Sequence, residues 1–347
     1  MKIPVGSQAA LARFARAVIF LLGLLLLWAG ATFVLMPSPG ETVPWDAVRL
    51  VSGEVDVITL GSSHAHCAVL PMEMWRATGV TALDVTGPSQ PMSATLAFLR
   101  EVLKTHDPKV VLLEVCLVDA PEPLSYRSKA NFDTMPWGLP KITGFLAAAP
   151  ADQWEYLFVP LLSYHDRWDE LQPGDLNPSK RRAFSFMRGA LYLHDVGEVA
   201  EEPTRRKISE DGYVTGLPYV RSIARLCESR GVQLILFNAP PPNPLLPSGQ
   251  MLLDRLEADL GGEFPDVEYL DMNNLRDIVG LDPALDFKDS SHVNGSGGTK
   301  ISIWLAHELQ RSYGVPDRRG EALAEQWDED LARYDAYVER KRVEAGR

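Results

Sequence analysis

An α/β fold is what this chain predicts: a three-layer α/β/α domain on a five-stranded parallel sheet, carried behind one N-terminal transmembrane helix. Three observations point there. Five short and nearly all-apolar runs recur along the sequence, segments with helical spacing separate them, and one long uncharged stretch lies near the N-terminus. Strands buried on both faces read as continuous apolar runs, and helical crossovers between such strands make them parallel.

The N-terminal element comes first. Ala17–Met36 (AVIFLLGLLLLWAGATFVLM) is twenty residues without a charge. At ~1.5 Å per helical residue this covers the ~30 Å hydrocarbon core of a bilayer. Lys2, Arg13 and Arg16 precede the stretch, while Glu41 and Asp46 follow it. The bias of basic residues toward the cytoplasm then assigns 1–16 to the cytoplasm, 17–36 to the membrane and the main domain to the extracytoplasmic, periplasmic side. A cleaved signal peptide is the rival reading; its apolar region would typically be ~7–15 residues, so the longer run favours a retained anchor in contact with lipid. Residues 37–54, which open with PSPGETVPW, read as a Pro-rich tether.

The strands follow in order: Val55–Leu60 (VDVITL), Thr81–Val85, Val110–Val115, Val232–Phe237 and Val267–Leu270. Ser93–Lys104, with Leu96, Leu99 and Leu103 on one face, Tyr219–Ser229 and Lys300–Gln310 read as helices. The expected strand order is the flavodoxin-like 2-1-3-4-5, within a domain over 55–315. Residues 119–207 break the alternation and are rich in Trp, Pro, Tyr and Arg, which reads as an insertion over one sheet edge and a source of specificity. In the tail, 316–347, Leu323, Trp327, Leu331, Tyr334 and Val338 fall on one face of an amphipathic helix, expected to dock on its own domain in preference to a partner.

Composition narrows the class. A chain of 347 residues with 46% hydrophobic content holds a sizeable core in one large or two small domains. Its net charge of −12 argues against a nucleic-acid partner, which calls for clustered Lys and Arg. Cys67, Cys116 and Cys227 are too few and too scattered for a disulfide framework or a metal site and read as small apolar residues near strands. His64 and His66 lack a nearby carboxylate or cysteine in sequence, so neither a metal nor any other cofactor is expected.

Two segments carry the chemistry. Gly61-Ser62-Ser63-His64 follows the first apolar strand, where the chain bends and a hydroxyl can face the carboxyl edge of the sheet. Far downstream, Asp289-Ser290-Ser291-His292 precedes a Gly-rich helix start, Asn294–Gly298. An aspartate three residues before a histidine can orient its imidazole, which can take a proton from a serine and return it to a leaving group. Ser63 is the preferred nucleophile and Ser62 the runner-up, with His292 as base and Asp289 as its orienting carboxylate. Asp286 is the alternative to Asp289.

Oxyanion donors are needed as well. The backbone N–H groups of Ser63 and Gly87 are candidates, with the Asn238 side-chain amide at the end of the fourth strand; ordinary turn chemistry is the competing reading for Gly87 and Asn238. His64 and Gln90 are candidates for substrate binding beside the serine. In the insertion, His165, Arg167 and Trp168 could stack on a sugar ring and bind its hydroxyls or a phosphate, or could anchor the segment.

On Gly61-Ser62-Ser63, Gly87 and Asp289-x-x-His292 the chain resembles the SGNH (GDSL-like) hydrolase superfamily. The anchor followed by GSSH and ending in DSSHVNGSG resembles its cell-envelope branch, which includes the teichoic-acid D-alanylation and alginate O-acetylation proteins. The resemblance runs from about Asp56 to Leu309. It departs at Glu114-Val115-Cys116-Leu117, which stands where the family has Gly-x-Asn-Asp with its asparagine oxyanion donor. What it implies is an acyltransferase or esterase acting on O-acyl esters of a cell-envelope polysaccharide, beside a membrane-bound O-acyltransferase. The alternative is a non-catalytic partner that binds polymer and recruits such an enzyme.

Overall fold

The structure, a computed structural model, describes residues 5–37, 45–51, 53–122, 130–180, 184–199, 208–242 and 247–344. Residues 38–44 and 52 of the 37–54 tether, Lys2 and parts of the 119–207 insertion lie outside the described residues, and the rest of the tether includes a short helix at Trp45–Leu50. The strands are β1 (Val57–Leu60), β2 (Ala82–Asp84), β3 (Val110–Glu114), β4 (Gln233–Asn238) and β5 (Glu268–Asp271). The helices up to the third strand are α1 (Val5–Leu35), α2 (Trp45–Leu50), α3 (Ser63–Ala68), α4 (Pro71–Thr78) and α5 (Met92–Val102). Then come α6 (Leu139–Ala148), α7 (Glu155–Phe158), α8 (Leu161–Tyr164), α9 (Glu210–Arg230), α10 (Pro247–Leu260), α11 (Arg276–Val279), α12 (Gly295–Tyr313) and α13 (Ala324–Glu344).

The chain divides into two compact units, one made of 1–38 with 155–180 and the other of 39–154 with 181–347. The inserted segment is therefore shared between them. In the first unit, Ala10–Leu35 of α1 is long and apolar enough to cross a membrane. A helix leaves its last carbonyls without intrahelical donors, and here two cations supply them. Arg167 donates to Leu35 O at 2.7 Å and Lys180 to Met36 O at 2.8 Å. Buried Asp175 holds both cations in place, accepting from Arg167 at 2.7 Å and lying 3.5 Å from Lys180.

The second unit is built on one five-stranded sheet in the order β2-β1-β3-β4-β5, with every pairing parallel. β1 to β4 are buried almost throughout, as their near-continuous apolar sequences require. β5, at the edge, is only half-buried. The order predicted from the sequence stands, and each strand sits within two residues of its expected bounds. The expected helix at Tyr219–Ser229 is longer: α9 begins at Glu210, where Ser209 caps it by accepting from the Gly212 N–H at 3.2 Å. Its first turns press on the chain after β3. A Cβ at Gly212 would come within 1.9 Å of Asp119 O, and one at Gly216 within 2.0 Å of Val118 O.

Helix α13 docks on its own unit. Trp327 and Tyr334 are fully buried, the Trp327 ring lies 5.3 Å from that of Trp75 on α4, and Trp75 Nε1 donates to Asp328 at 2.8 Å. Buried Arg188 stacks 4.3 Å over Trp327 and pairs with Asp330 at 2.7 Å. Such stacking and pairing hold a helix whose other face is charged.

Candidate active site

Three parallel strands end side by side at a cleft of about 400 Å³ whose lining includes Ser63, His64, Glu114, Cys116, Asn238 and Ser290. The bend after β1 positions the serines. Gly61 has φ +142°, and a Cβ there would meet Glu114 Cβ at 2.5 Å, so the chain can turn this closely across β3 only with glycine. Ser62 is buried and faces down. Its N–H and Oγ–H both donate to Glu114 Oε2, at 3.1 and 2.7 Å, and its Oγ accepts from the His64 N–H at 3.4 Å as the cap of α3. Ser63, one residue on, faces the other way.

Ser63 Oγ lies 2.9 Å from His292 Nε2. The other ring nitrogen, Nδ1, is 3.0 and 3.1 Å from the two Asp289 carboxylate oxygens. An ionised carboxylate only accepts, so Nδ1 carries the proton and Nε2 is left as the acceptor for the serine hydroxyl. Burial opposes ionisation of Asp289, but the Ser291 and His292 N–H groups and the imidazole outweigh it and hold the carboxyl below its usual range. The loop carrying both residues is pinned at its base. Phe287 and Val293, both buried, pair antiparallel, and Asn294 caps α12 by accepting from the Ser296 and Gly297 N–H groups at 3.0 and 3.2 Å.

Asp286, the alternative orienting carboxylate, is committed elsewhere. It accepts from Ser296 Oγ at 2.7 Å, Lys300 Nζ at 2.6 Å and Asp282 N at 2.7 Å, which fixes the loop against α12.

The expected oxyanion donors divide. The Ser63 N–H heads α3 and has no acceptor among the described residues. Asn238 Oδ1 accepts from the Met272 N–H at 3.0 Å, which turns its amide NH2 away from that bond on a residue that lines the cleft. The Gly87 N–H is directed at Gly61 O, though at a long 3.4 Å. Gln90 is buried outside the cleft lining and donates to Thr95 Oγ1 at 3.1 Å. His165, Arg167 and Trp168 belong to the unit that contains α1, where Trp168 is 70% exposed and Arg167 is engaged by Leu35 and Asp175.

The two histidines near Ser63 have opposite fates. His66 is buried, donates from Nε2 to Gly189 O at 2.9 Å, and burial lowers its pKa to about 4. His64 lines the cleft with its ring 5.1 Å from that of His292, edge to face.

Glu114 and Cys116, which in sequence mark only a departure from the resembled family's motif, are site residues to which sequence reasoning assigns no role. Glu114 is fully buried and accepts three hydrogen bonds, from Ser62 twice and from the Cys116 N–H at 2.6 Å. A charged residue closing an otherwise apolar strand was the available signal, since a buried carboxylate demands donors.

No protein-family model matches the sequence, and no curated protein matches it.

Proposed function

We propose that this chain is a serine-nucleophile acyltransferase or esterase, anchored by α1 with its sheet unit outside the cytoplasmic membrane and acting on O-acyl esters of a cell-envelope polysaccharide. One observation carries the reading: Ser63 Oγ, His292 and Asp289 stand in relay at 2.9 Å and then 3.0 to 3.1 Å, the serine at the start of α3 and the histidine on a loop 229 residues further along the chain. Ser63 Oγ attacks the ester carbonyl while its proton passes to His292 Nε2. Collapse of the tetrahedral adduct expels the alcohol, which takes that proton, and leaves an acyl-serine. A sugar hydroxyl or water then repeats the steps in reverse, losing its proton to His292 and releasing Ser63. Asp289 keeps the tautomer and steadies the imidazolium. The Ser63 N–H and the Asn238 amide supply donors for the oxyanion.

The envelope substrate rests on the membrane-length helix and on the sequence resemblance to SGNH hydrolases of the cell envelope; a membrane-bound O-acyltransferase is the matching partner. A fluorophosphonate probe, which phosphonylates activated serines, tests the chemistry. Labelling is expected at Ser63 and is lost in Ser63→Ala and His292→Ala; persistence of labelling in Ser63→Ala would remove the assignment.

A second reading is favoured by the segment Glu114–Leu117, which stands where the resembled family has Gly-x-Asn-Asp: Cys116 takes the place of the asparagine donor, and Glu114 sets a buried carboxylate under Ser62. Negative charge beneath the serine turn opposes a developing oxyanion. On this reading the unit binds acylated polymer and recruits an acyltransferase without turnover, and the probe leaves the intact protein unlabelled.

A further inference from the structure

The cleft wall holds a second constellation that the acyl chemistry does not use. His64, Glu114 and Cys116 each offer one ligand atom, and these atoms lie within 4.8 Å of one another. Sequence spacing conceals the group, because the carboxylate and the thiol come from the end of β3 and the imidazole from the first turn of α3, fifty-odd residues earlier. We propose that these three side chains form a binding site for a thiophilic divalent cation of the Zn²⁺ class, and that its occupancy closes the cleft to chemistry at Ser63. The second part rests on the serine-nucleophile reading above; the first does not.

The donor set argues for the class of ion. One imidazole nitrogen, one thiolate sulfur and one carboxylate oxygen suit Zn²⁺, whereas Mg²⁺ and Ca²⁺ take oxygen ligands almost throughout. A tetrahedral zinc with bonds of ~2.0–2.3 Å holds its ligand atoms ~3.3–3.8 Å apart. The three atoms lie within 4.8 Å of one another, so reaching that spacing asks at most about 1.5 Å of closing by side-chain rotation. Glu114 has the capacity. A carboxylate offers about four lone-pair positions, and three are taken here, two on Oε2 and one on Oε1, so the remaining position is on Oε1. The Cys116 N–H already ties this oxygen to the residue that bears the thiol. Three protein ligands leave a fourth position, and all three residues line the same cleft as Ser63.

The expected consequence for Ser63 follows from adjacency. His64 is its neighbour in the chain, and the His64 ring stands 5.1 Å from that of His292. A dication held by His64 repels the imidazolium that His292 must become, and it occupies the space through which an ester would approach.

Co²⁺, a spectroscopic stand-in for Zn²⁺, tests the site in the full chain solubilised in detergent. The expected result is a near-ultraviolet sulfur-to-cobalt charge-transfer band that saturates at one ion per chain and disappears on adding Zn²⁺. Cys116→Ser should abolish the band, Cys227→Ser should leave it intact, and His64→Ala should weaken binding at least tenfold. In the unsubstituted chain, Zn²⁺ should slow alkylation of Cys116 by iodoacetamide, read on the Cys116 peptide, so the result does not depend on a variant that folds. No charge-transfer band, a band that survives Cys116→Ser, or alkylation of Cys116 unaffected by Zn²⁺ would overturn the site. Saturating Zn²⁺ should also slow fluorophosphonate labelling of Ser63 at least tenfold; undiminished labelling with a full cobalt band would overturn the blockade. A metal-free protein that takes no label counts against the acyl reading, and the cobalt band still decides the site.

Discussion

The rim and the floor of the cleft use carboxylates in opposite ways. On the rim, Asp289 is half-exposed, is kept ionised by surrounding N–H groups, and points its charge at His292. On the floor, Glu114 is fully buried at the end of β3 and accepts from the turns at Ser62 and Cys116; outside the cleft lining, Asp84 is fully buried at the end of β2, the next strand but one in the sheet order, and accepts from Thr86. The rim residues Ser63, Asp289 and His292 are only partly buried, so exchanging them is expected to cost the fold little. The floor residues hold the bends that aim the rim. Substitutions on the rim should therefore remove activity and spare stability, and substitutions on the floor should do the reverse.

The largest effect is expected on the rim. Ser63→Ala and His292→Ala should each lower turnover of a model acyl ester about 1,000-fold or more with unchanged thermal unfolding, and the double variant should be scarcely worse than either, because triad members act as a unit. Asp289→Asn should lose less. Multiplying losses in the double variant would show two independent groups and break the relay.

On the floor the expected losses are of stability. Gly61→Ala sets a Cβ 2.5 Å from Glu114 Cβ at a positive φ, and should cost about 2–4 kcal/mol in denaturant unfolding. Glu114→Gln replaces one accepting oxygen by an NH2 that faces donors already present, for about 1–3 kcal/mol. A stable Glu114→Gln protein would erase the distinction between floor and rim.

Asp84 sharpens the contrast through pH. Burial raises its carboxyl pKa to about 7, against the pull of hydrogen bonds from the Thr86 hydroxyl and N–H. The native state then holds a proton that the unfolded chain releases near its ordinary value, ~3.9. Between those two values the native state binds more protons, so this group's contribution to stability falls as pH rises from about 4 to about 7 and levels off above it. Asp84→Asn should flatten that part of the stability profile, by up to a few kcal/mol at pH 8, measured as unfolding midpoint against pH. An unchanged profile would show that Asp84 is ionised in the folded protein.

The same division explains what could be read from the sequence. The five strands were legible because burial on both faces leaves an almost unbroken apolar run, and the nucleophile and base were legible because each lies in a short local pattern after a strand or before a helix. The floor was not. Glu114 matters through Ser62, 52 residues away, and only pairing of β1 with β3 brings them together. The start of α9 was hidden for a related reason: Gly212, Gly216 and Pro218 read locally as helix breakers, while the close approach of residues 118 and 119 requires the two glycines. Residues 155–180 read as an insertion beside the sheet because sequence gives no sign that Arg167 and Lys180 cap the carbonyls at the end of α1.

The smallest expected effect falls on the boundary between rim and floor, at the neighbouring serines. Both could serve as nucleophile by position, and their hydroxyls differ only in direction. Ser62 Oγ donates to Glu114 at 2.7 Å, while Ser63 Oγ meets His292 at 2.9 Å. A hydroxyl hydrogen-bonded to a buried carboxylate has no base that can carry its proton onward to a leaving group, so Ser62 is structural. Ser62→Ala removes one hydrogen bond to Glu114 and a weak helix cap, together worth about 1–2 kcal/mol. Fluorophosphonate labelling and ester turnover should stay within about tenfold of the unsubstituted protein, since the α3 turn keeps the Ser62 N–H bond to Glu114 at 3.1 Å. Loss of labelling in a folded Ser62→Ala protein, with labelling retained in Ser63→Ala, would exchange the roles of the two serines and move the nucleophile from the rim to the floor.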